Sequence, residues 1–185
     1  MNRTTYRTRW LGLAAVAALL GNAASAGDFQ LAFRLGQNWI DVDAERLSSG
    51  TGVNDHQMNL GLSASYRWPG GGFIEAGIAG SGSFNLLSIQ DVSHRWIGGG
   101  WQYDLYENFR FTPKAGLAYS RLTSSEEDLF ESEPVDEFSD IVPFAELTLE
   151  HRFGRHVGLG LYFRHTFEKW GSTRDFGLQL GWTFL

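Results

Sequence analysis

The chain has 185 residues, a net charge of −6, 23 glycines, 15% aromatic residues and no cysteine. That length suits one domain. The missing cysteine excludes a disulfide framework, a thiolate metal site and a lipid anchor on a processed N-terminal cysteine. So much glycine argues against a helix-rich domain, because glycine weakens helix interiors, and 4 prolines are too few for a disordered, proline-rich chain.

The first 26 residues differ from the rest. Arg3, Arg7 and Arg9 form a basic start, an apolar run covers residues 10–20, and Ala24-Ser25-Ala26 supplies small residues for cleavage. This three-part pattern predicts a secretory signal peptide over 1–26, its apolar run being too short to span a bilayer as a helix. The expected mature domain is 27–185. It loses three arginines and keeps 12 basic against 21 acidic residues, a net charge of −9. That balance gives no basic surface for nucleic acid. No later apolar stretch approaches the length of a membrane helix.

From residue 29 the chain alternates with period two, the signature of strands with one apolar face. Phe29, Leu31, Phe33 and Leu35 share the first apolar face, with Arg34 opposite. Met58, Leu60, Leu62, Ala64, Tyr66 and Trp68 form the second, with Arg67 opposite. Ile74, Ala76 and Ile78 oppose Glu75 in the third. Ile97, Gly99, Trp101, Tyr103 and Leu105 oppose Asp104 in the fourth. Phe109, Phe111, Leu117 and Tyr119 oppose Arg110 and Lys114 in the fifth. Ala145, Leu147 and Leu149 oppose Glu146, Glu150 and Arg152 in the sixth. Val157, Leu159, Leu161 and Phe163 oppose Tyr162 and Arg164 in the seventh. Phe176, Leu178, Leu180, Trp182 and Phe184 form the last. Eight segments near the length of a tilted membrane strand make an even count, as bacterial single-chain barrels require.

The connections alternate too. Tight turns are expected at 69–72, near Glu107 and Asn108, and at 154–156; long loops are expected at 43–55, 82–93, 121–140 and 168–174. Short periplasmic turns and long external loops are the build of outer-membrane barrels.

Alternation alone fits a soluble sandwich or a lipocalin-like barrel equally well. Two features favour the inverted, membrane arrangement. The polar face is rich in small residues and carries charges of both signs: Arg34, Arg67, Glu75, Asp104, Arg110, Lys114, Glu146, Glu150, Arg152 and Arg164. Such a set fits the filled interior of an eight-stranded barrel, where each charge needs a partner. Aromatic residues also gather at the segment ends: Tyr66, Trp68, Tyr103, Phe109, Trp182 and Phe184 at one, and Trp39, Trp96, Tyr119 and Phe167 at the other. Two girdles around an aliphatic band mark membrane interfaces.

The closing part carries a resemblance. Tyr162-Phe163-Arg164-His165-Thr166, followed by Gly177-Leu178-Gln179-Leu180-Gly181-Trp182-Thr183-Phe184, resembles the end of the OmpA-like and OmpX/Ail-type small barrels. The resemblance implies an all-β fold, an eight-stranded antiparallel up-and-down transmembrane β-barrel after a cleaved signal peptide. It also implies a terminal aromatic read by the barrel-assembly machinery; Leu185 after Phe184 departs from that pattern. The location implied is the outer membrane of a Gram-negative bacterium. The expected partners are outer-membrane lipid, lipopolysaccharide and an extracellular partner met by the loops, around a monomer that needs no cofactor.

Three functions follow as expectations. The first is a structural or surface-interaction role, adhesion or envelope support, without catalysis. The second is a small channel along the interior charges; against it, an eight-stranded barrel is normally plugged by its own side chains, and Glu75, Lys114, Glu146 and Arg110 are expected to form part of a closed polar network. The third is a lipid A-modifying enzyme resembling PagL. His165 matches the catalytic histidine of that family in place, but Phe167 stands where its serine would be, so the nucleophile is missing. Gly98-Gly99-Gly100 lacks the context of a phosphate loop and is read as small residues making room. The acidic loop 121–140 is expected to be solvated and open through like-charge repulsion. Its Glu126, Glu127, Asp128, Glu131 and Glu133 are also weak candidates for Ca²⁺ or Mg²⁺.

Overall fold

The computed structural model describes residues 27–42, 56–85, 88–128, 131–169 and 171–184. The expected signal peptide and the 43–55 loop lie outside the described residues. The described residues form nine strands: β1 (Asp28–Val42), β2 (His56–Arg67), β3 (Gly72–Asn85), β4 (Ser88–Trp101), β5 (Tyr103–Tyr106), β6 (Phe109–Asp128), β7 (Glu131–Phe153), β8 (Val157–Thr166) and β9 (Gly171–Phe184). β4 and β5 are two pieces of one stave interrupted at Gln102, and both pair with β6. Every neighbouring pair is antiparallel, and β1 pairs with both β2 and β9. The result is a closed eight-stave barrel with no sheet edge around its girth.

Closure separates the two faces of the period-two pattern. Leu62, Ile78, Ile97, Leu147, Leu178 and Leu180 point outward and stay exposed, whereas the buried set is dominated by polar and charged side chains. Apolar-out, polar-in is the membrane sense of a barrel. Trp39, Tyr119 and Phe167 stand on the outer face as expected of interface aromatics, but Trp96 does not. It is 4% exposed and lies inside. Strand parity explains the difference: Ile97 faces out, so its neighbour must face in.

One end is closed by tight turns. Gly71 and Gly154 adopt φ values of 84° and 71°, conformations that residues with a Cβ avoid. The other end differs from the sequence expectation. The stretches 82–93 and 121–140 are mostly paired strand rather than irregular loop. β3 and β4 run to the pair Asn85 and Ser88, and β6 and β7 to the pair Asp128 and Glu131. Ser88 of β4 also pairs with Glu126 of β6. Thus β3, β4, β6 and β7 continue as a four-stranded tongue beyond the apolar band, which ends on this side at Tyr119 and Ile141. The β6–β7 hairpin carries about nine further residues per strand, a reach of roughly 30 Å along the strands. Inward-facing Ile40, Val92 and Leu122 form an apolar cluster at this end, with Phe138 packed against it.

Inside, glycine makes room for rings. A Cβ on Gly77 would run into the Trp96 indole and lie 2.8 Å from the Leu62 carbonyl oxygen. Those on Gly98 and Gly116 would each meet the Phe144 ring at 2.8 Å. Gly77→Val is therefore expected to cost about 1–3 kcal/mol by overpacking. Gly80→Val, where a Cβ meets nothing within 4 Å, is the matched control. Urea unfolding midpoints of the two folded barrels compare them; equal midpoints would refute the packing role.

Candidate functional site

The lumen holds three tiers of polar side chains. The middle tier draws on walls that face each other. Arg34 on β1 places Nη2 2.9 Å from Glu75 Oε1 and Nη1 2.9 Å from Glu146 Oε2. From the opposite wall, Lys114 on β6 sets Nζ 3.0 Å from Glu75 Oε2 and 2.7 Å from Glu146 Oε1. Arg164 on β8 donates through Nε at 2.8 Å and Nη2 at 2.5 Å, both to Glu146 Oε2. Trp96 Nε1 donates to Glu75 Oε1 at 3.0 Å, and Thr148 Oγ1 to Glu146 Oε1 at 3.1 Å. The arginine planes also lie on rings: Arg164 is 3.9 Å from the Trp96 centroid and 4.6 Å from Phe144, and Arg34 is 5.2 Å from Tyr162. These contacts favour a delocalised cation over an aromatic face. Glu146 thus serves three cations at once, and the tier forms a plug of fully buried, mutually paired charge.

A second tier sits toward the turn end. Arg110 Nε donates to Asp104 Oδ1 at 3.0 Å, and its Nη1 lies 3.9 Å from Glu150 Oε1. Gln30 Nε2 donates to Glu150 Oε2 at 3.2 Å. Arg67 pairs with Asp28 and donates to Gln102 Oε1 at 3.2 Å. Two sequence expectations are corrected here. Arg110 belongs to this tier, not to the network of Glu75, Lys114 and Glu146. Asp104 is not an interior charge: its side chain is 66% exposed at the rim, because the strand breaks at Gln102 and bulges between Asp104 and Tyr106. Arg67 and Arg152 are half-buried, and Arg152 Nη2 donates to the Arg155 carbonyl at 3.2 Å. Arg34, Glu75, Arg110, Lys114, Glu146, Glu150 and Arg164 are all buried.

The third tier, toward the tongue, uses residues that sequence reasoning missed. His94 Nε2 is 3.2 Å from Glu168 Oε1, with both side chains almost wholly buried. Ser120 Oγ donates to the same oxygen at 3.4 Å, and the Thr173 amide donates to Glu168 Oε2 at 2.8 Å. Asn59 Nδ2 donates to Asp175 Oδ1 at 3.0 Å, and Asn38 Nδ2 to Ser81 Oγ at 2.5 Å. Parity from Ile97 places His94 inward, and parity from Phe176 does the same for Asp175. Glu168 sits on the short β8–β9 connection and carries no such signal.

Little space remains between the tiers. A gap of about 10 Å³ lies among Gln30, Ser65, Glu75, Lys114, Glu150 and Gln179, room for about one water. Glu126, Glu127, Asp128, Glu131 and Glu133 lie on the tongue hairpin, where backbone pairs such as Glu126 with Glu133 are set; their side chains fall outside the description. Among the described residues, no three histidine or acidic side chains group to hold a metal ion. His165 faces outward, its ring 4.3 Å from that of Phe167 in an edge-on arrangement, and Thr166 is buried on the inward side.

No family model and no curated protein matches the sequence. Solved structures do match. Ail, the attachment invasion locus protein of Yersinia pestis, superposes with a TM-score of 0.63 at 12% identity, over 86% of this chain and 99% of that one. Neisserial surface protein A gives 0.56 at 12% identity, over 86% and 96%. The outer membrane protein OprG from Pseudomonas aeruginosa gives 0.53 at 13% identity, over 86% and 96%.

The fold is that of the small eight-stranded outer-membrane barrels.

At these identities the likeness reaches the fold alone. The lumen plug and the acidic tongue are described from this barrel's own residues.

Proposed function

We propose that this barrel is an outer-membrane protein of a Gram-negative bacterium with a structural or surface-interaction role, without catalysis, its tongue turned outward. The observation that carries the reading is a lumen closed by paired charge beneath a sheet that continues past the apolar band. A closed lumen disfavours a channel, and a tongue of ordered strands offers a partner surface at little further ordering cost. The enzyme reading lacks its nucleophile, since Phe167 occupies the serine position beside His165.

The tongue's charge narrows the partner. Residues 121–140 hold eight carboxylates against Arg121. Ail has been solved with the heparin analogue sucrose octasulfate; on this barrel like charges would oppose such a polyanion, so a cationic partner fits better. The remaining partners in this reading are outer-membrane lipid, lipopolysaccharide and, during insertion, the barrel-assembly machinery, around a monomer.

A glutamate-specific protease added to intact cells tests the orientation. Cleavage is expected within 126–137, while the glutamates of the lumen are spared. Full protection of the tongue on intact cells, with cleavage only after lysis, would overturn the reading.

A further inference from the structure

The lumen cations are paired with carboxylates, but the outer face carries cations of a different kind. At the tongue end of the apolar band, one register level runs across four consecutive staves: His56 opposes Trp39, Trp39 opposes Arg174, and Arg174 opposes His165. All four side chains lie on the outward parity. The residues one step nearer the middle of the barrel are Met58, Phe163 and Phe176 on β2, β8 and β9, and Gln37 on β1. On these four staves the row is therefore the first cationic level met on leaving the apolar band; Arg95, outward on β4 opposite Ile78, belongs to another sector of the wall. Arg174 is exposed and has no ion-pair partner among the described residues. The nearest outward carboxylate by register, Asp41 opposite Ser172, stands one step further from the band. Lys169 is engaged with Asp140 at 2.6 Å. The flanking imidazoles are held by rings: His56 lies edge-on to Trp39 at 5.8 Å and His165 edge-on to Phe167 at 4.3 Å.

We infer that this row is a lipid-phosphate site, in which Arg174 grips a phosphate of lipopolysaccharide while His56 and His165 donate N–H groups from either side. A guanidinium at the edge of a hydrocarbon band needs an anion, and none of the described residues supplies one within ion-pair distance. Its planar fork suits a phosphate. Trp39 fixes the depth of the row, as aromatic side chains do at membrane interfaces. The source is lipopolysaccharide because the row lies at the tongue end, which faces the outer leaflet; in this the inference rests on the orientation proposed above.

Native mass spectrometry of the detergent-solubilised barrel tests it. The probes are lipid A carrying both phosphates, lipid A with its phosphates removed, and phosphatidylglycerol as competitor. The variants are Arg174→Gln and His165→Gln, with Arg155→Gln in the exposed turn at the far end as control. Each is scored only as the folded form that migrates differently before and after heating. The wild type and the control are expected to retain phosphorylated lipid A. Arg174→Gln should weaken retention about tenfold and His165→Gln less, as the loss of a charge-assisted and a neutral hydrogen bond implies. Equal retention by Arg174→Gln overturns the site, as does equal binding of dephosphorylated lipid A. Displacement by phosphatidylglycerol mole for mole overturns the assignment to lipopolysaccharide. The protease experiment on intact cells reports the orientation separately, so a failure of that reading and a failure of this site can be told apart.

Discussion

Replacing Glu146 with Gln is expected to destabilise the barrel by about 3–5 kcal/mol, the range for removing one partner of a buried ion pair. The side chain is essentially unexposed and sits within hydrogen-bond or ion-pair distance of Arg34, Lys114 and Arg164. The amide keeps the shape and loses the charge. Arg34 and Lys114 then keep only Glu75, Arg164 loses its ion-pair partner, and the new amide nitrogen presents a donor where all three cations need an acceptor. Equilibrium unfolding in urea, followed by tryptophan fluorescence in lipid vesicles, measures the loss. Planar-bilayer recording gives a second readout: the wild type is expected to show no stable open level. Replacing Arg164 with Met in the same background should restore part of the stability, because it removes one of the stranded cations. A midpoint unchanged by Glu146→Gln would mean that the plug contributes no stability.

Leu178→Arg is expected to cost about 2–4 kcal/mol in a bilayer, the cost of a cation near the midplane of a barrel's lipid face. Leu178 is 48% exposed, and on β9 it lies between Phe176 and Leu180, well inside the apolar run that ends at Arg174. In a water-soluble barrel the same exposed position would tolerate arginine within about 0.5 kcal/mol. The substitution therefore separates the two senses of the fold by energy. Unfolding midpoints in vesicles, with wild type alongside, give the answer, and an unchanged midpoint would argue for an aqueous surface.

The barrel was legible in the sequence because a bilayer outside and a packed lumen inside impose opposite chemistry on alternate residues. Wherever both constraints act, as from Leu31 to Leu35 or from Phe176 to Phe184, period two survives. It fades in the tongue for a physical reason. Residues 121–140 have no lipid on their outer side, so charged residues appear there without breaking the backbone ladder, and the stretch reads as a loop. Trp96 reads as an interface anchor because it is an aromatic near a strand end, although the outward Ile97 beside it fixes it inward. The meeting of His94 with Glu168 has no local signature, because it joins β4 to the β8–β9 connection. Arg34, Lys114 and Glu146 are buried in the lumen. Lys114 and Arg164 meet Glu146 from the adjacent strands, whereas the contacts of Arg34 with Glu146 and of Lys114 with Glu75 cross the lumen, and which staves face each other comes only with closure.

The plug also constrains how the barrel can be made. Arg34 and Glu146 are 112 residues apart in the chain, and Arg34 and Glu75 are 41 apart. While the chain is being inserted, β1 can bring its arginine to Glu75 once β3 is in place. That arginine's contact with Glu146 on β7 requires in addition the β1–β9 pairing, which joins the two ends of the chain. Lys114 and Arg164 stand opposite Glu146 on its two neighbouring strands, so those pairs can form in an open sheet. What the final β1–β9 seam adds to the lumen is the contact of Arg34 with Glu146. An incomplete barrel keeps a strong reason to remain with whatever shelters its open edge, and a finished one has none.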